Sequence, residues 1–129
     1  MADILIVDDD ADASALLGIV LETEGHTVRV AHDGQRGLAE IERRFPALVV
    51  LDIEMPVLDG PGMALELRRR GEGREAIPIL LSSGHPAIAQ VARRIGTPHW
   101  LPKPSGIDAI LAAVARALTP VARRLPAAA

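Results

Sequence analysis

Residues 4–14 read ILIVDDDADAS: four apolar residues run without a break into three aspartates, and a helix-like pattern follows at once. An unbroken apolar run is the mark of a strand covered on both faces, since a strand with one wet face alternates instead. The change at Asp8 fixes where that strand ends. Like charges crowded at the end of a buried strand repel one another, so the stretch asks for a counter-ion.

The same grammar repeats along the chain. Ile4–Val7 is a strand, and Asp12–Glu24 carries a helical stripe of Ala13, Leu16, Leu17 and Val20 that Gly25 stops. Thr27–Ala31 is a second strand, followed by a helix over Gly34–Arg44 with Leu38, Ile41 and Phe45 along one side. Ala47–Leu51 is a third apolar strand ending at Asp52, and Met55–Gly60 is a turn-rich loop. Pro61 suits the first turn of a helix carrying Met63 and Leu67. Ile77–Leu81 is a fourth strand ending at Ser82, Ala87–Ile95 a short helix, and His99–Leu101 a brief fifth strand. The last helix has Ile107, Ile110, Leu111, Val114 and Leu118 as its core stripe.

Strand–helix alternation repeated five times predicts an α/β three-layer domain, doubly wound around a five-stranded parallel sheet. With 129 residues, 49% of them hydrophobic and 24% charged, the chain suits one domain, expected over residues 1–119 with a flexible tail over 120–129. A net charge of −3 argues against a nucleic-acid partner, and the lack of cysteine excludes disulfides and thiolate metal sites. Asp3 stands where a signal peptide would be positive, and no run approaches the roughly 18 uncharged residues of a membrane span. The expectation is a cytoplasmic protein with no membrane partner.

In doubly wound sheets function gathers beyond the carboxyl ends of the strands. Those ends carry Asp8 and Asp9, then Asp52, Ser82 and Lys103. Several carboxylates in one shallow pocket suit a hard divalent cation, and Mg²⁺ takes oxygen ligands. Lys103 supplies a compact ammonium and Ser82 a hydroxyl donor for phosphoryl oxygens. An aspartate can itself be the nucleophile and form an acyl phosphate. Together these are parts for phosphoryl transfer, where positioning and charge neutralisation dominate. Taken singly, each has a plainer reading: a solvated turn for Asp8–Asp10, with Asp10 at a helix start, and a loop cap for Asp52. Trp100 is either core filler or part of the working surface.

"LIVDDD", "LVVLDIEMPVLDG", "IPILLSSG" and "HWLPKP", in this order and spacing, closely resemble the receiver domain of two-component response regulators, over residues 3–118. The resemblance implies a flavodoxin-like fold with strand order 2-1-3-4-5 and makes Asp52 the phosphoacceptor. It implies Mg²⁺ held by Asp9, Asp52 and the backbone carbonyl of Glu54, with Asp8 helping through water. Ser82 and Lys103 would hold the phosphoryl group, Trp100 would occupy the aromatic switch position, and Lys103–Pro104 would be cis. The implied partners are a histidine kinase or histidine phosphotransfer protein and a downstream protein target, with no catalysis beyond the chain's own phosphorylation and dephosphorylation. The chain would be a stand-alone regulator or a receiver cut from a larger protein. Two departures stand out: most receivers carry Ala at Ser83 and Tyr or Phe at Trp100. The alternative is a Mg²⁺-dependent phosphohydrolase with an aspartyl-phosphate intermediate. That class has D-x-D at its nucleophile, which it places on the first strand, and adds a substrate cap; here Asp52 ends the third strand and is followed by Ile53 and Glu54, and the chain has no room for a cap.

Overall fold

A computed structural model of the chain describes residues 1–119; the expected tail over 120–129 lies outside the described residues. The elements are β1 (Asp3–Val7), α1 (Ala11–Thr23), β2 (Thr27–Ala31), α2 (Gly34–Arg43), β3 (Leu48–Leu51), α3 (Gly60–Arg70), β4 (Ile79–Ser83), α4 (Ile88–Ile95), β5 (His99–Pro102) and α5 (Ile107–Leu118), with a single 3₁₀ turn at Arg74–Ala76. The five strands pair in parallel in the order β2-β1-β3-β4-β5. This is the doubly wound, flavodoxin-like arrangement.

Alternation along each central strand feeds two cores. Leu5, Val7, Val49 and Leu51 pack with Leu38, Ile41, Met63 and Leu67 of α2 and α3. Ile4, Ile6, Leu48 and Val50 pack with Leu21 and Val114 of α1 and α5. Burial on both sides is why β1 and β3 read as unbroken apolar runs, whereas edge strand β2 carries Arg29 and two exposed positions. Three aspartates start helices: Asp10, Asp33 and Asp59 accept the N–H of Ala13, Arg36 and Gly62 at 3.0, 2.8 and 2.8 Å. Each satisfies an otherwise orphaned donor of a first turn. Asp10 is therefore the structural member of the opening triplet, as its position before the helix implied.

Four local expectations need correction. The buried face of α1 is Ser14, Gly18 and Leu21, while Leu16 is 64% exposed. Two small residues bring this helix against the sheet, and Ser14 can go inside because its hydroxyl bonds the Ala11 carbonyl at 3.1 Å. A hydropathy stripe overlooks small residues that make the close contact. In α5 likewise Ala113, Val114 and Ala117 are buried and Ile107 is exposed. Phe45 is not on α2: Pro46 bars it from the helical region, Arg44 is already extended, and the ring sits exposed under the Arg74 guanidinium, 5.3 Å from its centroid. Strand β4 lies two residues later than the apolar run, at Ile79–Ser83. Ile77 instead closes the 3₁₀ turn onto the Arg74 carbonyl at 3.2 Å, and the Lys103 N–H extends the ladder to the Ser83 carbonyl at 2.9 Å.

Candidate functional site

The carboxyl ends of β1, β3, β4 and β5 meet above the sheet. Parallel register sets this up: Val7 lies beside Leu51 and Leu51 beside Leu81, so the residues following β1 and β3 emerge together. Asp8, Asp9 and Asp52 each offer a carboxylate oxygen, and these atoms lie within 4.8 Å of one another. Asp8 is buried, Asp52 half-buried and Asp9 exposed.

Both oxygens of Asp8 are engaged. One accepts the Asp10 N–H at 3.0 Å and the other the Lys103 ammonium at 2.6 Å. Its backbone carbonyl meets His32 Nδ1 at 3.0 Å, tying β1 to the end of β2. Asp52 donates its N–H to the Val7 carbonyl at 3.0 Å, and its Oδ1 accepts the Ile53 N–H at 2.8 Å. Burial pushes the Asp52 carboxyl above the ordinary carboxylate value. Lys103 opposes that shift, the neighbouring Asp8 charge adds to it, and the Ser83 hydroxyl and the Ile53 N–H oppose it in turn. One ammonium thus faces a surplus of carboxylates.

Gly60 matters for shape here. A Cβ on Gly60 would stand 2.2 Å from the Asp52 carbonyl oxygen, so only a bare backbone lets α3 begin this close to the end of β3. The Gly60 N–H closes the loop onto the Ile53 carbonyl at 2.8 Å. Within that loop Val57 adopts φ 69, a left-handed conformation unusual for a β-branched residue.

The remaining expected residues lie around the cluster. Ser82 lines an apolar cavity of about 340 Å³ between α1 and α5, together with Asp8, Lys103, Leu17, Leu101 and Val114. The Lys103–Pro104 peptide is cis. Glu54 follows Asp52 by two residues, its exposed side chain 3.6 Å from His85 Nε2. Trp100, on edge strand β5 beside Leu81, is 42% exposed and so does not serve as core filler in this conformation.

One residue beside Asp52 had no assigned role in the sequence. Ser83 is 3% exposed, accepts the His85 N–H at 3.2 Å through its Oγ, and its hydroxyl works to lower the Asp52 carboxyl against the effect of burial. Ending β4 at the apolar run hid it. Carrying the strand through both serines puts Ser82 and Ser83 on opposite faces, one toward the α1–α5 cavity and one toward the phosphoacceptor candidate.

A profile for the response regulator receiver domain matches residues 4–115. The chain belongs to this family. It is 38% identical over 120 residues to the nitrogen assimilation regulatory protein NtrX of Azorhizobium caulinodans, an alignment covering 90% of this chain and 26% of that protein. Response regulator MprA of Mycobacterium ulcerans is 36% identical over 111 residues, 84% of this chain and 47% of its own length. The chain thus spans half or less of these two relatives. Among solved structures, chemotaxis protein CheY4 of Vibrio cholerae superposes with a TM-score of 0.83 at 27% identity, covering 91% of this chain and 98% of that one. The matched family is a receiver family and not a catalytic one. Among the described residues no helix is long and apolar enough to cross a membrane.

Proposed function

We propose that the chain is a phosphoacceptor switch of a two-component relay, taking a phosphoryl group onto Asp52 from a histidine kinase or histidine phosphotransfer protein in the cytoplasm. The observation that carries this reading is the convergence of Asp8, Asp9 and Asp52 within 4.8 Å, against a single ammonium, at the carboxyl edge of the sheet. The donor set is all carboxylate, which fits a hard divalent cation. Asp9, Asp52 and the Glu54 carbonyl would hold Mg²⁺. Asp8, whose two oxygens are already occupied, would act through water. Bound there, Mg²⁺ supplies positive charge that offsets the carboxylates and the incoming phosphoryl oxygens.

The chain's own residues do the rest. The Ile53 N–H fixes the Asp52 carboxylate and leaves Oδ2 to attack phosphorus. The Oδ2–P bond forms as the donor's P–N bond breaks, and the donor imidazole keeps the electron pair. Lys103 then exchanges Asp8 for a phosphoryl oxygen, and the Ser83 hydroxyl, on the Asp52 side of β4, reaches a second one in place of Ser82, whose side chain lines the α1–α5 cavity. Those two movements draw on β4 and β5, and Trp100 on β5 carries the change to the protein-binding surface for the downstream target. Leu16 and Ile107, both more than half exposed and lining the α1–α5 cavity with Asp8, supply an apolar landing surface for the donor protein. The domain assignment to 1–119 fits this reading, because every residue invoked lies within it.

Incubation with acetyl phosphate and Mg²⁺, followed by intact mass, tests the assignment. Wild-type protein should gain one phosphoryl group and Asp52→Asn none. Equal labelling of the two would remove Asp52 from the role.

A further inference from the structure

Strand β4 turns Leu80 and Ser82 to the same side of the sheet, because alternate residues share a face. Leu80 is buried in the core beneath α1 and α5. Two residues on, where that pattern calls for an apolar side chain, the chain carries a hydroxyl, and the cavity of about 340 Å³ opens there. Val50, Leu80 and Ser82 form its floor, and Leu17, Val20 and Val114 line its helical walls. The exposed Leu16 and Ile107 stand at its mouth. A partner helix laid across the mouth would leave the floor uncovered, so the depth suits a small molecule. The polar groups on the wall are nearly all engaged. The Asp8 carboxylate and the Lys103 ammonium pair at 2.6 Å, so together they carry no net charge. The Ser105 hydroxyl donates to the Pro102 carbonyl. The Ser82 hydroxyl has no hydrogen-bond partner among the described residues. It offers one donor and one acceptor to an otherwise apolar space.

We propose that this cavity binds a small uncharged aromatic molecule of two fused rings, whose single O–H or N–H group bonds the Ser82 hydroxyl. Size sets the first limit. An apolar cavity of about 150 Å³ holds one benzene ring, so this one has room for a fused pair. Charge sets the second. An ionic ligand would surrender its water to a wall with no net charge, whereas a neutral ring with one polar group gives up little. The site also bears on signalling, a consequence that rests on Asp52 being the phosphoacceptor. The bound molecule packs against Asp8 and Lys103 in their paired state, and phosphorylation draws Lys103 away from Asp8. A ligand that binds the paired state better opposes phosphorylation, and phosphorylation weakens the ligand by the same factor.

Titration with 2-naphthol, followed by calorimetry and by the backbone amide resonances, tests the site. Wild type should bind one equivalent saturably, with the amides of Val50, Leu80 and Ser82 moving most. Ser82→Ala should bind roughly 2- to 10-fold more weakly, the range of one net hydrogen bond. Ser82→Leu, which fills the space with an apolar side chain, should not bind; if it melts early, Val20→Phe narrows the same cavity from α1. The anion 2-naphthoate, with the same rings and a full charge, should bind more weakly than 2-naphthol. No saturable binding to wild type, equal binding to the filled variant, or a preference for the anion would overturn the site. With 2-naphthol present, wild type should gain its phosphoryl group from acetyl phosphate more slowly, and the filled variant should not respond. Binding without any effect on labelling would overturn the link to phosphorylation. No label on wild type in the absence of 2-naphthol would instead overturn the Asp52 reading, and the binding results would still decide the site.

Discussion

Strand β1 has an aspartate at either end, and the two meet opposite conditions. Asp3, at the amino end, lies between two guanidinium groups. Arg29 reaches both of its oxygens at 3.2 and 3.1 Å, and Arg44 adds a third contact at 2.7 Å. Arg29 also bonds the Glu40 and Arg44 carbonyls at 2.8 and 2.9 Å, closing the corner between β1, β2 and α2. Burial works to raise the Asp3 carboxyl, but the hydrogen bonds and charges of Arg44 and Arg29 outweigh it and hold the group below its ordinary value. At the carboxyl end Asp8 shares one lysine with Asp52 and Asp9, and there burial prevails, raising Asp52. A carboxylate matched within the chain is a joint, and a surplus of carboxylates is a place for a ligand.

The comparison breaks most visibly at the matched end. Arg29→Ala deletes five hydrogen bonds of a partly buried side chain and leaves Asp3 with Arg44 alone, so unfolding should become easier by about 2 kcal/mol in urea titration. The pH signature has a definite sign. A depressed carboxyl contributes stability above its unfolded value of 3.8, lost as pH falls through the folded value. Wild type should therefore lose more stability than Arg29→Ala on acidification below that range. A variant as stable as wild type, with the same acid profile, would mean that the corner is held by packing.

The surplus end should answer with the opposite sign and a smaller effect. Asp52 is raised, so between 3.8 and its folded value the native state binds more protons than the unfolded one, and stability falls as pH rises through that window. Without divalent ions, Asp52→Asn should be more stable than wild type at neutral pH by no more than about 1 kcal/mol, since solvent screens a half-buried group. The gap should close at low pH, where Asp52 is protonated. A destabilised Asp52→Asn would place Asp52 with Asp3 among the structural carboxylates.

Much of this was legible before any coordinates. Unbroken apolar runs gave β1 and β3 because both are covered on two faces, and the charges beginning at Asp8 and Asp52 marked the ends where the carboxylates gather. What stayed hidden involved small or neutral groups. Ser14 and Gly18 carry the α1 contact without any apolar signal, whereas Leu16 and Val20, which carry the signal, border the α1–α5 cavity. Ser83 escaped because hydropathy ended β4 at Leu81, whereas backbone pairing with β5 carries it two residues further. Arg29 reads as a surface charge in sequence, and only the meeting of β1, β2 and α2 reveals its several partners.

The charge surplus is the central claim, and thermal unfolding of wild type and Asp9→Asn with EDTA and with Mg²⁺ tests it most directly. Asp9 is the exposed member of the cluster and is not among the residues that hold the fold together. With EDTA, Asp9→Asn should melt above wild type, because one like charge has gone. Mg²⁺ should raise the melting temperature of wild type through preferential binding to the native state, and should do little for the variant. Equal melting temperatures in EDTA, with wild type indifferent to Mg²⁺, would contradict the account.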